Sequence, residues 1–333
     1  MKRLFLMIVA ALTFTACGSK YEFFNGHTQG TTYHIIMESP TNDMQQHIDE
    51  VLTYVDTTMS IFNPNSQISR FNRGELVRVD KNFEHCFNTA RAAYIFSKGV
   101  YDVTVAPLVD LWGFGPSGRK AEPTQAQIDS VLQFVGQNKM RVAYSRLFKD
   151  DPRSQLDLSS VAKGLTVDLM CKMLDKQGIQ NYLVEIGGEI RCKGISARKT
   201  MWRVGIDNPE HGIKAGAPQT IVNLQIPSGT SVATSGNYRN YYVNENGRRV
   251  THTLNAQTGY PQESSILSAT VIAPSCVRAD AYATMLMAIG DPEQLGWYER
   301  RLGKACHFLV VYTDEQGKTQ IFKTAKMDDF ILE

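Results

Sequence analysis

The sequence has little net charge and no charged tail. Its 35 lysine and arginine residues nearly balance its 33 aspartate and glutamate residues, which leaves a formal net charge of +2. So small a charge gives no overall attraction to nucleic acid or to an anionic membrane surface. We therefore expect no nucleic-acid partner.

The sequence also lacks the cysteine patterns of metal and haem sites. The cysteines beyond Cys17 are widely spaced, and neither a C-x-x-C motif nor a cluster of histidine and cysteine is present. These absences argue against zinc and haem. A chain of 333 residues is long enough to form a core without disulfides. We expect mostly free, buried thiols and leave a single disulfide open.

Internal repeats, linkers and low-complexity segments are absent as well. The composition, 43% hydrophobic and 20% charged, is that of an ordinary globular protein. Strand-like alternation and helix-like spacing follow one another along the chain without a regular βαβ rhythm. This mixture predicts an α+β fold.

The N-terminus has the pattern of a targeting segment. Lys2 and Arg3 precede an apolar run over residues 4–12, which is too short to span a membrane. Ala16 directly before Cys17 resembles the lipobox of bacterial lipoproteins. We therefore expect residues 1–16 to be a lipoprotein signal peptide and Cys17 to become the lipidated first residue. The alternative is an ordinary secretory signal with an incidental cysteine.

Residues 156–164 contain the most informative stretch of the chain. Apolar residues alternate with Asp157 and two serines, and from Gly164 onward the apolar spacing becomes helical. This predicts a strand that ends in a sharp turn, with a helix over residues 165–176. A helix N-terminus at a sheet edge, beside Lys163, favours anions. The alternative is a plain strand–helix junction with a solvated Asp and Lys.

Seven segments together resemble the FAD:protein FMN transferases, the ApbE-like flavin transferases once called thiamine biosynthesis lipoproteins. The resemblance covers nearly the whole chain after Cys17. The segments are residues 59–60 with 68–72, 101–108, 157–164, 185–190, 235–238, 252–261 and 279–284.

The resemblance implies one catalytic domain over residues 17–333. Its fold would be mixed, largely antiparallel sheets with flanking helices in two interleaved subdomains. The implied location is the periplasmic face of a bacterial membrane, the inner membrane above all, with the anchor on Cys17.

The implied reaction is an Mg²⁺-dependent transfer. A threonine hydroxyl of a target protein, such as a periplasmic-facing subunit of a membrane redox complex, attacks the FMN phosphorus of FAD. AMP leaves, and FMN is held through a phosphoester bond. Such transfers need positioning and charge neutralisation more than covalent work by the enzyme. A FAD pyrophosphatase and a non-catalytic FAD-binding lipoprotein are the alternatives.

The resemblance also implies the metal ligands. Asp280 and Thr284 are four residues apart, which places them on one face of a predicted helix over residues 279–289. A carboxylate and a hydroxyl are hard oxygen ligands that suit Mg²⁺. The main-chain carbonyl of Ser160 would complete the protein ligands. The alternative is a helix-start carboxylate and a hydroxyl bonded to its own helix.

The FAD contacts implied by the resemblance lie at several turns. Asp157 would accept hydrogen bonds from the nucleotide, and Lys163 would neutralise phosphate charge. The other implied contacts are Met59, Val100, Tyr101, Asp102 and Leu254. Plain core packing is the alternative for Met59 and Leu254, since Met is a common gap-filler.

His252 is the implied proton acceptor for the target hydroxyl, or a group that orients phosphate. A turn histidine bonded to backbone is the alternative. Gly187 and Gly188 lie within a predicted strand over residues 182–194, where glycine indicates a bulge or a close backbone approach. We assign no direct role to the next residue, Glu189.

Overall fold

The computed structural model describes residues 21–118, 122–210, 219–237, 241–243, 249–303 and 306–332. Cys17 and the expected signal peptide lie outside the described residues, so their roles stay predictions.

The described residues contain both strands and helices. The strands are β1 (Tyr21–Thr28), β2 (Thr31–Glu38), β3 (Met140–Ala143), β4 (Arg146–Lys149), β5 (Tyr182–Ile186), β6 (Glu189–Lys193), β7 (Trp202–Asp207), β8 (Thr220–Ile226), β9 (Ser231–Gly236), β10 (Tyr241–Val243), β11 (Arg249–Thr251), β12 (Ile266–Ala273), β13 (His307–Thr313) and β14 (Thr319–Lys323). The α-helices are α1 (Met44–Met59), α2 (Gln67–Asn72), α3 (Lys81–Phe96), α4 (Ala106–Leu111), α5 (Gln125–Leu132), α6 (Ser159–Lys176), α7 (Cys276–Ile289) and α8 (Leu295–Leu302).

One large sheet organises the described part of the chain. Its strand order is β1-β2-β5-β6-β9-β12-β13-β14, and each neighbouring pair runs antiparallel. Three two-stranded sheets, β3-β4, β7-β8 and β10-β11, accompany it. The α+β prediction, with largely antiparallel sheets and flanking helices, is confirmed.

The two faces of the large sheet have different partners, because side chains alternate along each strand. On β5, Val184 packs with α6 residues such as Val167 and Met170. Its neighbour Leu183 packs on the opposite face, with Trp202 of the β7-β8 hairpin. Helices α6 and α7 therefore lie side by side on one face, and α1 and α3 pack over them.

The backbones of helices α6 and α7 come close together at Gly164. A Cβ atom on this glycine would lie 2.5 Å from the carbonyl oxygen of Cys276 and 2.7 Å from the Cα of Val277. Both neighbours are backbone atoms, so neither is free to rotate away. The close approach brings the second turn of α6 against the first turn of α7.

The start of α6 differs from the prediction. The helix begins at Ser159, so Gly164 lies inside it and residues 155–158 form no regular strand. Asp157 Oδ1 accepts the amide of Ser159 at 2.8 Å, which satisfies one amide of the first turn. The helix start was not predicted, because the first two helical residues are serines and polar residues are also typical of a loop.

The prediction that Gly187 and Gly188 lie within a continuous strand was also wrong. The pair connects β5 to β6 as a two-residue hairpin turn, with φ of +64° and +115°. Turns of this kind need positive φ, which glycine adopts without steric cost. The bulge alternative is therefore wrong, and the close-approach alternative stays a prediction. Glu189 becomes the first residue of β6.

The cysteine expectation holds. The five cysteines within the described residues are free and buried, and no disulfide joins them. No helix among the described residues has the length and apolar character needed to cross a membrane.

Candidate active site

Asp280 is the buried centre of the site. It lies in α7 with no exposed surface, and its Oδ2 accepts the amide of Gly164 at 2.9 Å. Its Oδ1 has no hydrogen-bond partner among the described residues. Burying a carboxylate oxygen without a partner is costly. The oxygen therefore suits an electropositive ligand.

Lys163 is the cation closest to Asp280. Its Nζ lies 3.6 Å from Asp280 Oδ1 and 3.0 Å from Glu189 Oε1. About a quarter of the Lys163 side chain, 26%, remains exposed. The ammonium group is thus held between two carboxylates and still reaches the surface of the site.

Glu189 is the site residue that sequence reasoning missed. Ile190 of β6 packs on the β7-β8 side of the sheet, so the alternating Glu189 faces the helices. The residue is 1% exposed, and its Oε2 has no hydrogen-bond partner among the described residues. The glycine pair before Glu189 is the sequence signal that could have predicted the hairpin turn.

The site contains two acidic groups and one basic group. With Lys163 charged and both carboxylates ionised, Lys163, Asp280 and Glu189 carry one net negative charge. Burial raises the pKa of Glu189 to about 8, and Asp280 adds to the rise while Lys163 opposes it. Burial also raises the pKa of Asp280. Burial alone would lower the pKa of Lys163, but Asp280 and Glu189 raise it above its ordinary value. The buried cluster therefore favours gaining a proton or a cation.

The residues expected to hold Mg²⁺ supply oxygen atoms only. Thr284 lies one turn after Asp280 on α7, and its hydroxyl is 3.2 Å from Ser235 Oγ. The amide of Gly164, four residues after Ser160 in α6, donates to Asp280 Oδ2. No group of three His, Cys, Asp or Glu side chains suited to a metal occurs in the described ranges. One carboxylate, one hydroxyl and one carbonyl match the hard-oxygen preference of Mg²⁺.

Asp157 and His252 lie near the start of α6. Burial raises the pKa of the Asp157 carboxyl, while its hydrogen bond to Ser159 and the charge of nearby His252 lower it. The amide of Asp157 donates to the carbonyl of Val103 at 2.7 Å. The His252 ring makes an edge contact with Phe114, with ring centroids 6.3 Å apart. The charge of the His252 imidazole therefore acts on the Asp157 carboxylate.

Residues 100–102 have distinct roles in the structure. The Tyr101 hydroxyl is hydrogen-bonded to Ser160 Oγ at 2.7 Å, which joins this loop to the first turn of α6. The carbonyl of Val100 accepts the amide of Ala256 at 3.0 Å. The loop therefore connects α6 with residues 252–261.

The Asp102 carboxylate joins its own loop to Gln137. It accepts the amide and hydroxyl of Thr104, both at 2.7 Å, and the amide of Gln137 at 2.8 Å. Only 5% of the residue is exposed. The carboxylate therefore stabilises its loop and ties it to Gln137, and its contact with FAD stays a prediction.

Met59 and Leu254 are core residues. Met59, at the end of α1, is buried in the main apolar cluster, and Leu254 is buried beside Leu108 and Trp112. Their packing agrees with the plain alternative, and their contact with FAD stays a prediction.

The sequence matches the model of the ApbE family over residues 29–308. This chain belongs to the ApbE family of flavin transferases.

Curated relatives of this ApbE-family chain are similar over almost their full lengths. The FAD:protein FMN transferase of Vibrio cholerae serotype O1 is 34% identical, over 96% of both chains. The protein of that name from Haemophilus influenzae is 34% identical over 94% of both chains, and the one from Escherichia coli K12 is 32% identical over 91% of both.

Solved structures of the family share the fold. The flavin transferase ApbE from Vibrio cholerae superposes with a TM-score of 0.83 at 31% identity, covering 94% of this chain and 99% of the other. The flavinyl transferase ApbE from Pseudomonas stutzeri, in its apo form, gives 0.81 at 31% identity, covering 93% and 96%.

Proposed function

We propose that this chain transfers the FMN part of FAD to a threonine hydroxyl of a target protein in an Mg²⁺-dependent reaction that releases AMP. Relatives named FAD:protein FMN transferase, matched over nearly their whole lengths, support the transfer. The observation that carries the metal and phosphate chemistry is the buried Asp280 carboxylate, whose Oδ1 accepts no hydrogen bond among the described residues and lies 3.6 Å from Lys163 Nζ.

Asp280, Thr284 and the carbonyl of Ser160 would hold Mg²⁺. When bound, the ion supplies positive charge that neutralises the phosphate oxygens as the phosphorus is attacked. Asp280 is oriented for this role, because the amide of Gly164 donates to its Oδ2 and Oδ1 is left facing the site.

Lys163 provides a second, fixed positive charge. Glu189 anchors its ammonium group, so little side-chain freedom remains to be lost when phosphate binds. Positive charge preorganised in this way lowers the barrier to phosphoryl transfer.

The bond changes follow from the proposal. The threonine oxygen bonds to the FMN phosphorus, the bond between that phosphorus and the oxygen bridging to AMP breaks, and AMP leaves with the bond's electron pair. His252 accepts the hydroxyl proton, with Asp157 near enough to stabilise the imidazolium.

The decisive experiment incubates the protein with FAD, Mg²⁺ and a target protein that contains the acceptor threonine. Mass spectrometry of the target should show a covalently bound FMN, and AMP should appear in equal amount. A target with Thr→Ala at the acceptor is the matched control. Release of free FMN and AMP without labelling would instead identify a FAD pyrophosphatase, and FAD binding with no AMP would identify a binding protein.

The metal part is tested separately. Asp280→Ala should abolish transfer but retain much FAD affinity, since the nucleotide touches many other groups. Loss of such stabilisation costs about 2.7–4 kcal/mol in the transition state. Thr284→Ala should be milder, because water can replace a neutral hydroxyl. EDTA-resistant transfer, or near-normal transfer by Asp280→Ala at unchanged melting temperature, would refute the metal assignment.

We also propose that Cys17 carries a lipid that anchors the protein at the periplasmic face of the membrane. The small residue before Cys17 and the short apolar run support this proposal.

A further inference from the structure

Asp168 connects α6 to the start of α7. It lies four residues after Gly164, and therefore on the same face of α6. Its Oδ1 accepts the amide of Cys276 and its Oδ2 accepts the amide of Val277, both at 3.0 Å. These are the first two amides of α7, which have no partner within their own helix. A negative charge at this position is also favourable to the helix dipole.

Arg191 holds Asp168 in place from the sheet. Its Nη1 donates to Asp168 Oδ1 at 2.9 Å and to the carbonyl of Pro274 at 3.0 Å. Arg191 is two residues after Glu189 on β6, and so faces the same helices. Both charged side chains are largely buried, at 18% exposure for Asp168 and 26% for Arg191. Arg191 thus holds the Asp168 carboxylate in place independently of α7.

The two helices exchange hydrogen bonds in both directions. α7 donates to Asp168 of α6, and α6 donates from Gly164 to Asp280 of α7. Cys276 and Asp280 are one helical turn apart, as are Gly164 and Asp168. The backbone contact of Gly164 with Cys276 leaves no space for sliding. A shift of α7 along α6 would break both sets of bonds together.

We propose that Asp168 is a positioning residue for the cation site, acting through the start of α7 on the direction of Asp280 Oδ1. The inference rests on the proposed Mg²⁺-dependent transfer. Asp168 does not touch the expected ligand atoms, yet it sets the axial position of the helix that carries two of them. Groups that orient metal ligands typically contribute 10- to 100-fold to metal affinity or activity.

The test is Asp168→Asn in the whole protein. Asparagine retains the shape, but it places an NH₂ group against one of the two amides and removes the charge. Mg²⁺ titrated by calorimetry into the FAD-saturated protein should bind about 10-fold more weakly. FAD affinity, measured by flavin fluorescence, should not change. Excess Mg²⁺ should restore the transfer rate, which a general loss of folded protein would not allow.

Asp175→Asn is the matched control. Asp175 lies on the same helix and pairs with Lys193 at 2.9 Å, but its partners lie on β5 and β6 and not on α7. This variant loses the same charge and an ion pair, and its Mg²⁺ affinity should equal that of wild type. Equal weakening in both variants would overturn the positioning role, as would normal Mg²⁺ binding by folded Asp168→Asn.

Arg191→Gln is the second variant if Asp168→Asn does not fold. It removes the support of Asp168 but leaves the two amide bonds, so Mg²⁺ affinity should fall by a smaller factor at constant FAD affinity. With Asp168→Asn unfolded, unchanged Mg²⁺ binding by Arg191→Gln would overturn the inference. Failure of the proposed function is distinguishable: wild type would then bind Mg²⁺ with the expected dependence on Asp168 but transfer no FMN.

Discussion

The amide of Gly164 donates a 2.9 Å hydrogen bond to Oδ2 of Asp280, across the contact between α6 and α7. The bond exists because residue 164 has no side chain, which allows the two backbones to meet. One glycine thus links the packing of the central helices to the orientation of the buried carboxylate. Stability and function should therefore both respond to a change at this position.

Gly164→Ala should destabilise the protein. The added Cβ would lie 2.5 Å from the Cys276 carbonyl oxygen, so the helices must separate. Overpacking of this kind costs about 1–3 kcal/mol. Gly296→Ala is the control, because its Cβ would meet only Arg300 Nη1 at 3.9 Å. There, alanine within a helix should stabilise by about 0.4–1 kcal/mol. Urea unfolding of both variants would contradict the argument if they shifted in the same direction.

Asp102→Asn should lower stability more than FAD affinity. The new amide can still accept from Thr104, but its NH₂ group would face the amide of Gln137, which donates to Asp102 at 2.8 Å. A buried donor without a partner costs about 1–3 kcal/mol. Urea unfolding and FAD titration on the same preparation test this prediction. A large loss of FAD affinity at unchanged stability would show that the carboxylate itself contacts the nucleotide.

The five buried cysteines should be unreactive in the folded protein. Burial raises the pKa of Cys306 to about 11 and that of Cys192 to about 12. At pH 8 these groups are therefore thiols, and the thiolate is the reactive form. In protein that begins after Cys17, Ellman's reagent should react slowly when folded. It should titrate all five cysteines once guanidinium is added. A lower count in unreduced, denatured protein would reveal a disulfide.

Cys17→Ser should release the protein from the membrane fraction. The hydroxyl of serine does not form the thioether that carries the diacylglyceryl group, and one lost anchor is enough to free a protein held by lipid alone. Mass spectrometry of the wild-type N-terminus and fractionation of both proteins test the prediction. A Cys17→Ser protein that still carries a diacyl lipid would contradict it, as would an unlipidated wild type.

Local sequence patterns predicted much of the fold. The helices predicted over residues 165–176 and 279–289 lie within α6 and α7, because helical spacing of apolar residues can be recognised from neighbouring residues alone. The start of α6 could not be recognised in this way, because Ser159 and Ser160 are polar where a helix first turns. Its beginning depends on contacts with residues distant in sequence, such as Tyr101 with Ser160.

The site was predicted only in part. The resemblance assigned Asp280, Thr284 and Ser160 to the metal and Lys163 to the FAD phosphates. In the structure Lys163 pairs with Asp280, and the amide of Gly164 joins α6 to α7. The resemblance gave no role to Glu189 or Asp168, since their partners lie on other elements of the fold. In the sequence, Asp168 is an ordinary polar residue of a helix. Its role is visible only in the fold, where the first amides of α7 donate to it. Local pattern carries no information about such long-range pairings.

Glu189→Gln should remove a pH dependence from the metal-free protein. Burial raises the pKa of Glu189 from 4.5 to about 8, so the folded state holds a proton that the unfolded state releases. The contribution to stability is fully present below pH 4.5 and is lost as pH rises to about 8. The slope within this window is at most about 1.4 kcal/mol per pH unit. Glutamine resembles the protonated form and does not titrate.

Urea unfolding in EDTA between pH 6 and 9 tests this expectation. The difference in unfolding free energy between wild type and Glu189→Gln should shift in favour of the variant up to about pH 8 and then stay constant. Ionisable groups distant from Glu189 are shared and cancel in the difference, which leaves the titration of Glu189 and its effect on its neighbours Asp280 and Lys163. Mg²⁺ should bind more weakly to the variant, because one negative charge is missing beside Asp280. Parallel stability curves over the whole range, together with unchanged Mg²⁺ affinity, would show that Glu189 contributes no charge to the site.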